Sequence, residues 1–297
     1  MLIETSAAAL LGLSIYSWFI EPHRYRIMRH KIQMKGPSIK PLAILQISDL
    51  HFYRGQTSLQ RFLEELTKWA VDLIFITGDL IDDDSGIDLC LEALRPLRAK
   101  YGSYCVFGNH DYDCVDWRHL FHRTGKPLKE MKRRPNDSKR LEAGLYSLGI
   151  SVLHNQWTRI AVDGGAVAVV GVDDPYSERD DIPATFRGYR KEEPCFVLVH
   201  APDRYRELSE AGADMVFSGH THGGQIRIPF AGPVITRSKA PKRFASGFAR
   251  LNGTLYHATR GAGSSRLTRP RFSCPPEVNL FEIEFVQEDK PKNSFAE

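Results

Sequence analysis

The sequence predicts an α/β fold made of two packed sheets with flanking helices. Three observations lead there. Short apolar runs alternate with helical patterns in the first half, such runs crowd together in the second half, and polar residues gather at the ends of the runs.

"LAILQIS" (42–48), "LIFIT" (73–77) and "SYCVF" (103–107) are apolar stretches of strand length. Between the first two, "SLQRFLEELTKWA" carries apolar residues at helical spacing, with Ser58 as a cap signal. "LCLEALRPLRAK" (89–100) reads as a helix that Pro96 bends or ends. Strands that alternate with helices pair in parallel. The second half spaces its strands more closely: "SVLHN", "TRIAVDGGAVAVVGV", "CFVLVH" and "DMVFS". "DGG" at 163–165 marks a hairpin turn, and "QIRI", "TLYHATR" and "VNLFEIEF" add later strands.

A chain of 297 residues makes one large domain or two ordinary ones. With 42% apolar and 26% charged residues it can bury a sizeable core without staples. The five cysteines (90, 105, 114, 195 and 274) are scattered and lack metal-type spacing. They read as reduced thiols, which excludes a disulfide framework.

The net charge of +4 is unevenly spread. Residues 22–41 hold six Lys/Arg and no acid, and residues 118–140 have a net charge of +7, so the rest of the chain is acidic. Such concentration favours contact with anionic lipid or a phosphorylated ligand. No nucleic-acid-binding motif accompanies it, and no nucleic-acid partner is expected. The sequence sets no oligomeric state.

"SAAALLGLSIYSWFI" (6–20) is uncharged and is followed by Arg24, Arg26, Arg29 and Lys31. As a helix it spans about 22 Å, less than the roughly 30 Å hydrocarbon core. No basic residue precedes it and no small-residue cleavage site follows, so removal as a signal peptide is not expected. The charge asymmetry, with Tyr16 and Trp18 placed for an interfacial belt, points to anchoring at the cytoplasmic membrane, the rest of the chain facing the cytoplasm. A buried helix opening the domain is the plainer alternative. Residues 1–35 are therefore read as an anchoring helix with a basic juxtamembrane segment, and 36–297 as the functional domain.

The polar residues at strand ends carry the chemistry. The first strand ends in "SDLH" (Asp49, His51), the second in "TGDLIDDD" (Asp79, Asp82), and the third in "FGNHDYD" (Asn109, His110, Asp111). Later runs end in "VLVH" (His200) and "SGHTHGG" (His220, His222). Singly, each is an ordinary turn residue or a satisfied histidine. Together they place candidate ligands beyond the carboxyl ends of five strands, where open α/β sheets bind ligands. Gly78, Gly108 and Gly219 stand beside them and permit close backbone approach. Gly223 and Gly224 keep the backbone slim, as an approaching phosphate requires. Asp49, His51, Asp79, Asn109, His200, His220 and His222 are too many ligands for one tetrahedral zinc. They fit two divalent cations about 3.5–4 Å apart, completed by water. Oxygen and imidazole donors without thiolate select manganese, iron or zinc, and manganese is the first expectation.

The ordered blocks "DLH", "GDLID", "GNHD", "VLVH" and "GHTH" resemble the signature of the calcineurin-like metallophosphoesterases. The continuations "GHTHGGQIRIPFAGP" and "TRGAGSSRLTRPRFSCPPEVNLFEIE" resemble a membrane-associated bacterial branch of that family. The resemblance implies a four-layer α/β/β/α metallophosphoesterase sandwich with two mixed sheets. It also implies that Asp49, His51 and His222 hold one metal, that Asp79 bridges, and that Asn109, His200 and His220 hold the other. His110 would meet the phosphate and help protonate the leaving oxygen, Asp111 would orient His110, and Asp82 would support the ligands from behind.

The basic and aromatic segment 114–140 follows the third block, so it is expected near the site, with Arg118, Lys126, Arg133 and Arg134 as substrate contacts. Arg237, Lys239, Lys242 and Arg243 extend the positive rim. The expected partner is an anionic membrane lipid or an amphiphilic phosphorylated substrate, and the resemblance points to UDP-2,3-diacylglucosamine, cleaved to UMP and a lipid monophosphate in lipid A synthesis. A general phosphodiesterase is the alternative. A non-enzymatic membrane-docked binding protein is the third reading, and a His110 free of metal speaks against it.

Overall fold

A computed structural model describes residues 10–114 and 134–287. In chain order the strands are β1 (Arg26–Lys35), β2 (Leu42–Ile47), β3 (Leu73–Thr77), β4 (Ser103–Val106), β5 (Asp113–Cys114), β6 (Arg134–Pro135), β7 (Ile150–Val152), β8 (Gln156–Val162), β9 (Gly165–Val172), β10 (Cys195–Val199), β11 (Met215–Ser218), β12 (Arg227–Ile228), β13 (Gly232–Pro233), β14 (Gly247–Leu251), β15 (Thr254–Ala258) and β16 (Glu277–Val286). One six-stranded sheet runs β1-β16-β2-β3-β4-β7 and a second runs β14-β15-β11-β10-β9-β8. Both are mixed. β2, β3, β4 and β7 are parallel, as are β9, β10, β11 and β15, and β8 and β14 pair antiparallel at the two edges of the second sheet.

The alternation of side chains explains the layers. In β3, Leu73 and Phe75 face the second sheet while Ile74 and Ile76 face the helices. In β10, Phe196 and Leu198 join the core between the sheets, and Val197 and Val199 point to the opposite side. Helices Thr57–Glu65, Ile87–Leu94 and Ser138–Ser147 cover the first sheet through Leu59, Leu63, Ile87, Leu94, Leu141 and Leu145. Helix Tyr205–Glu210 covers the second through Leu208. The four-layer α/β/β/α sandwich follows from apolar residues on both faces of each central strand. Each fully buried Leu or Phe contributes about 1.5–3 kcal/mol.

Several local expectations change. Ser58 does not cap its helix, which starts at Thr57 without a side-chain cap bond. Its Oγ instead lies 3.1 Å from the Tyr25 hydroxyl and 3.2 Å from His23 Nδ1. Residues 26–35, read as juxtamembrane, form β1, paired in parallel with β16 along its whole length. The sandwich therefore begins near residue 26, not 36. Lys and Arg alternating with Ile and Met suit an edge strand, because one face packs and the other is solvated.

Residues 10–20 are helical, and Leu10, Leu11, Leu13, Ile15, Trp18, Phe19 and Ile20 are exposed. The buried-helix alternative is thus excluded for this stretch. No described helix is long and apolar enough to cross a membrane. The segment is fixed at its end by Glu21, which is buried and whose carboxylate accepts the Ser273 and Cys274 N–H groups. The Arg271 N–H also donates to Ser17 O at 2.9 Å.

Candidate metal centre

The loops after β2, β3, β4, β10 and β11 converge at one edge of the sandwich. Pairing continues past the strands: Asp49 N–H donates to Gly78 O and His51 N–H to Asp79 O, both at 2.9 Å. The chain then turns sharply. Asp49, His51, Asp79, His220 and His222 all have positive φ, between 47° and 68°. A non-glycine residue held there costs about 1–3 kcal/mol, and such strain collects at functional sites. Glycine supplies the remaining space. A side-chain carbon at Gly108 would collide with Asp79 Oδ1, and one at Gly219 with Ser48 Oγ and Asp49 Oδ2. Gly223 makes room for Cys274 and Arg260, and Gly224 for Pro233 and Ile235, so both serve packing of the chain, and Gly224 also lines the cavity into which the site opens.

Two donor groups form around one carboxylate. Asp49, His51 and His222 present ligand atoms within 4.8 Å of one another, as do Asp79, His200 and His220. Asp79 Oδ2 lies 3.6 Å from His51 Nε2 and 3.2 Å from His200 Nε2, so a single oxygen faces both groups. Hydrogen bonds set the tautomers. His200 Nδ1 donates to Thr77 O at 2.8 Å, which directs Nε2 into the site. His220 Nε2 donates to Arg237 O at 3.3 Å, which leaves Nδ1 for the site. Burial, with His200 alongside, pushes His220 down to about 4; burial, His51 and Arg271 hold His222 well below the usual imidazole range. Both shifts favour the uncharged ring that a ligand presents. At His200 burial opposes the charge, but Asp79 outweighs it and raises the ring, so a cation there would displace a proton.

The residues fit two divalent cations. Asp49 Oδ2 and Asn109 Oδ1 are buried without a hydrogen-bond partner. His51 Nε2 and His222 Nε2 face each other at 2.9 Å, a pairing that one shared cation satisfies. Among the described residues, no Lys or Arg side chain pairs with Asp49, Asp79 or Asp82. Burying three carboxylates with no Lys or Arg partner is costly, and cations are the natural compensation.

The carboxylate that supports His110 is not the expected one. Asp82 Oδ1 lies 3.1 Å from His110 Nδ1 and 3.5 Å from His51 Nδ1. Asp111 turns away and accepts four backbone N–H groups, from Gly108, Asp79, Leu80 and Ile81, at 2.7–3.2 Å. Asp111 thus ties the second and third motif loops together. Burial and the nearby Asp79 push its carboxyl up to about 7, yet four donors around it favour the ionised form. For His110, burial opposes the charge, but Asp79 and Asp82 outweigh it and raise the ring above its ordinary range.

The site opens into a cavity of about 710 Å³. His51, Asp79, Asn109, His110, His220 and His222 line its polar end, and Trp18, Ile226, Val234, Ile235, Leu267 and Pro270 form an apolar wall. Arg237 lines it too, the one rim cation of 237–243 that does. Of the expected substrate contacts, Arg134 is exposed in β6 and does not line the cavity, while Arg118, Lys126 and Arg133 lie outside the described residues.

Residues 42–224 match the family of calcineurin-like phosphoesterases. The chain belongs to this family. It is 28% identical to the phosphodiesterase YaeI of Escherichia coli, over 95% of this chain and 97% of that one. It is 28% identical to the uncharacterized metallophosphoesterase YkuE of Bacillus subtilis, over 90% and 88%. It is 25% identical to the UDP-2,3-diacylglucosamine pyrophosphatase LpxG of Chlamydia trachomatis, over 94% and 96%. As a calcineurin-like phosphoesterase it is a metal-dependent phosphohydrolase with a dinuclear divalent site.

Three residues of this phosphoesterase, Tyr176, Asp174 and Arg271, received no role from the sequence. Tyr176 lines the cavity with its ring 4.6 Å from that of His220, and Asp174 holds its loop by accepting the Tyr176 and Ser177 N–H groups. "GVDD" ends a strand as the other motifs do, which was the available signal. Arg271 is fully buried and donates to the carbonyls of Arg260, Gly261, Gly263 and Cys274, with its Nη2 3.2 Å from His222 Nδ1. It gathers those four carbonyls behind the ring. Arg271→Met would leave buried carbonyls without their donor and is expected to cost at least about 2 kcal/mol of stability. Urea unfolding checks this, and a loss below about 1 kcal/mol would refute the role.

Proposed function

We propose that this phosphoesterase hydrolyses a pyrophosphate or phosphodiester bond in an amphiphilic substrate at the cytoplasmic membrane, with its catalytic domain facing the cytoplasm. The preferred substrate is UDP-2,3-diacylglucosamine, cleaved to UMP and a lipid monophosphate. The observation that carries this reading is the cavity: its polar end is the metal centre and its wall is apolar, with Trp18 of the exposed N-terminal helix part of that wall. A phosphorylated head and an acyl tail need those two surfaces side by side. The likeness to the UDP-2,3-diacylglucosamine pyrophosphatase LpxG supports the same substrate.

Asp49, His51 and His222 are assigned to one cation, Asn109, His200 and His220 to the other, and Asp79 to both, with Mn2+ the preferred metal. When bound, the two cations supply Lewis-acid polarisation of the phosphoryl group and lower the pKa of water. His110 holds its Nδ1 hydrogen on Asp82, so Nε2 delivers the proton to the leaving oxygen. Asp82 positions the ring and keeps it charged. Arg237, lining the cavity, is placed to meet substrate phosphate.

Purified protein with Mn2+ is expected to release UMP from UDP-2,3-diacylglucosamine and to rescue a strain lacking that pyrophosphatase. No UMP and no rescue, with a simple phosphodiester still hydrolysed, would favour the general phosphodiesterase instead.

A further inference from the structure

Beside the cavity mouth, β12 and β13 form a short hairpin whose tip is Pro229, Phe230 and Ala231. The tip side chain is unusual. Phe230 has φ 66° and is wholly exposed, at 111%. A bulky residue rarely adopts that backbone conformation, and an aromatic ring in water gains nothing from it. Ile228, Val234 and Ile235 beside it are also exposed. The base of the hairpin is firmly held. Arg227 Nη1 donates to Gly223 O at 2.7 Å, Arg227 N–H donates to Phe272 O at 2.9 Å, and Lys242 Nζ donates to Pro233 O at 3.1 Å.

Apolar and basic residues thus adjoin. The tip is apolar, Lys242 meets the base through Pro233 O, and the exposed cations Lys239 and Arg243 are its neighbours in the chain. The N-terminal helix, likewise apolar and exposed, meets the same cavity through Trp18, while the hairpin side meets it through Ile226, Val234 and Ile235. Two apolar projections therefore flank one mouth.

We propose that the hairpin is a second membrane-docking element, with Phe230 and Ile228 seated below the headgroups of an anionic phospholipid bilayer and Lys239, Lys242 and Arg243 at its phosphates. An apolar tip with basic flanks is the pattern that binds the interface of anionic membranes. Docked this way, the cavity opens toward lipid, which rests on the reading of the substrate as amphiphilic. A second copy of the chain would explain the apolar tip but not the cations beside it.

The test uses the full chain carrying Phe230→Cys, labelled with an environment-sensitive fluorophore, and vesicles of equal parts phosphatidylglycerol and phosphatidylcholine. Cys90, Cys105, Cys195 and Cys274 are buried, and the unsubstituted chain gives the background from Cys114. The expected result is a blue shift and quenching by brominated lipid, with no response from a label at Tyr146→Cys, an exposed site on helix Ser138–Ser147. Ile228→Cys provides the same measurement if the first variant fails to fold. Phe230→Asp should lower partitioning into these vesicles about tenfold, with hydrolysis of a soluble phosphodiester unchanged. Absence of quenching at both hairpin labels overturns the proposal. A response that needs only high protein concentration assigns the hairpin to self-association and also overturns it. Equal quenching in pure phosphatidylcholine removes the anionic-lipid part. The vesicles contain no substrate, so failure of docking and failure of the UMP assay are separate outcomes.

Discussion

His110→Ala is expected to lower kcat by about 10²–10⁴-fold while the protein still carries two metals per chain. The ring lies close enough to His51 and Asp79 to be taken for a ligand. Its Nδ1, however, faces Asp82, which suits a proton donor. Kinetics and metal analysis on the same preparation separate the two roles: loss of one metal would assign His110 to the metal centre and refute the assignment as acid. The pH profile gives a second readout. An acid must be protonated, and Asp79 and Asp82 raise its pKa against burial, so activity should persist to higher pH than an ordinary imidazole allows. Asp82→Asn removes one of those charges and should move the basic limb of the profile to lower pH. An unmoved limb would show that Asp82 does not act through His110.

Asp111→Ala should be among the most destabilising single substitutions in the protein. Four buried backbone donors, from Gly108, Asp79, Leu80 and Ile81, would lose their shared acceptor. A buried donor left unpaired costs about 1–3 kcal/mol, so a loss of at least about 3 kcal/mol is expected even after partial relaxation. Asp111→Asn keeps one acceptor oxygen and should fall between the two. Urea unfolding measures the differences. A loss below about 1 kcal/mol would mean that the loops find other acceptors and that Asp111 is not the tie between them.

Much of the metal site was legible because its parts are local. Each ligand sits one or a few residues beyond an apolar run, and the run itself is readable as a strand. Parallel pairing then brings the strand ends to one edge without further information. Glycine at 78, 108 and 219 was readable for the same reason, since a crowded polar turn needs it. The apolar runs of β3 and β10 also announced burial on both faces, and hence a layer on each side.

Other features depend on partners far away in the chain. Asp82 and Asp111 are alike as residue types, and Asp111 adjoins His110 in sequence. Only the fold of the two loops sends Asp82 to the ring and Asp111 to the backbone. β1 was hidden because its cations resemble a juxtamembrane stretch, and its partner β16 lies at the other end of the sequence. Arg271 lies in a block that carries the resemblance but received no role there, and its function appears only where Gly263, Cys274 and His222 come around one guanidinium. The sequence by itself determined which residues can bind metal and on which strands they stand. The tertiary structure decided which carboxylate serves which histidine, how apolar surface reaches the site, and where the sandwich begins. The reason is physical: donor type and strand pattern are properties of neighbours in the chain, whereas hydrogen-bond partners and cavity walls are properties of neighbours in space.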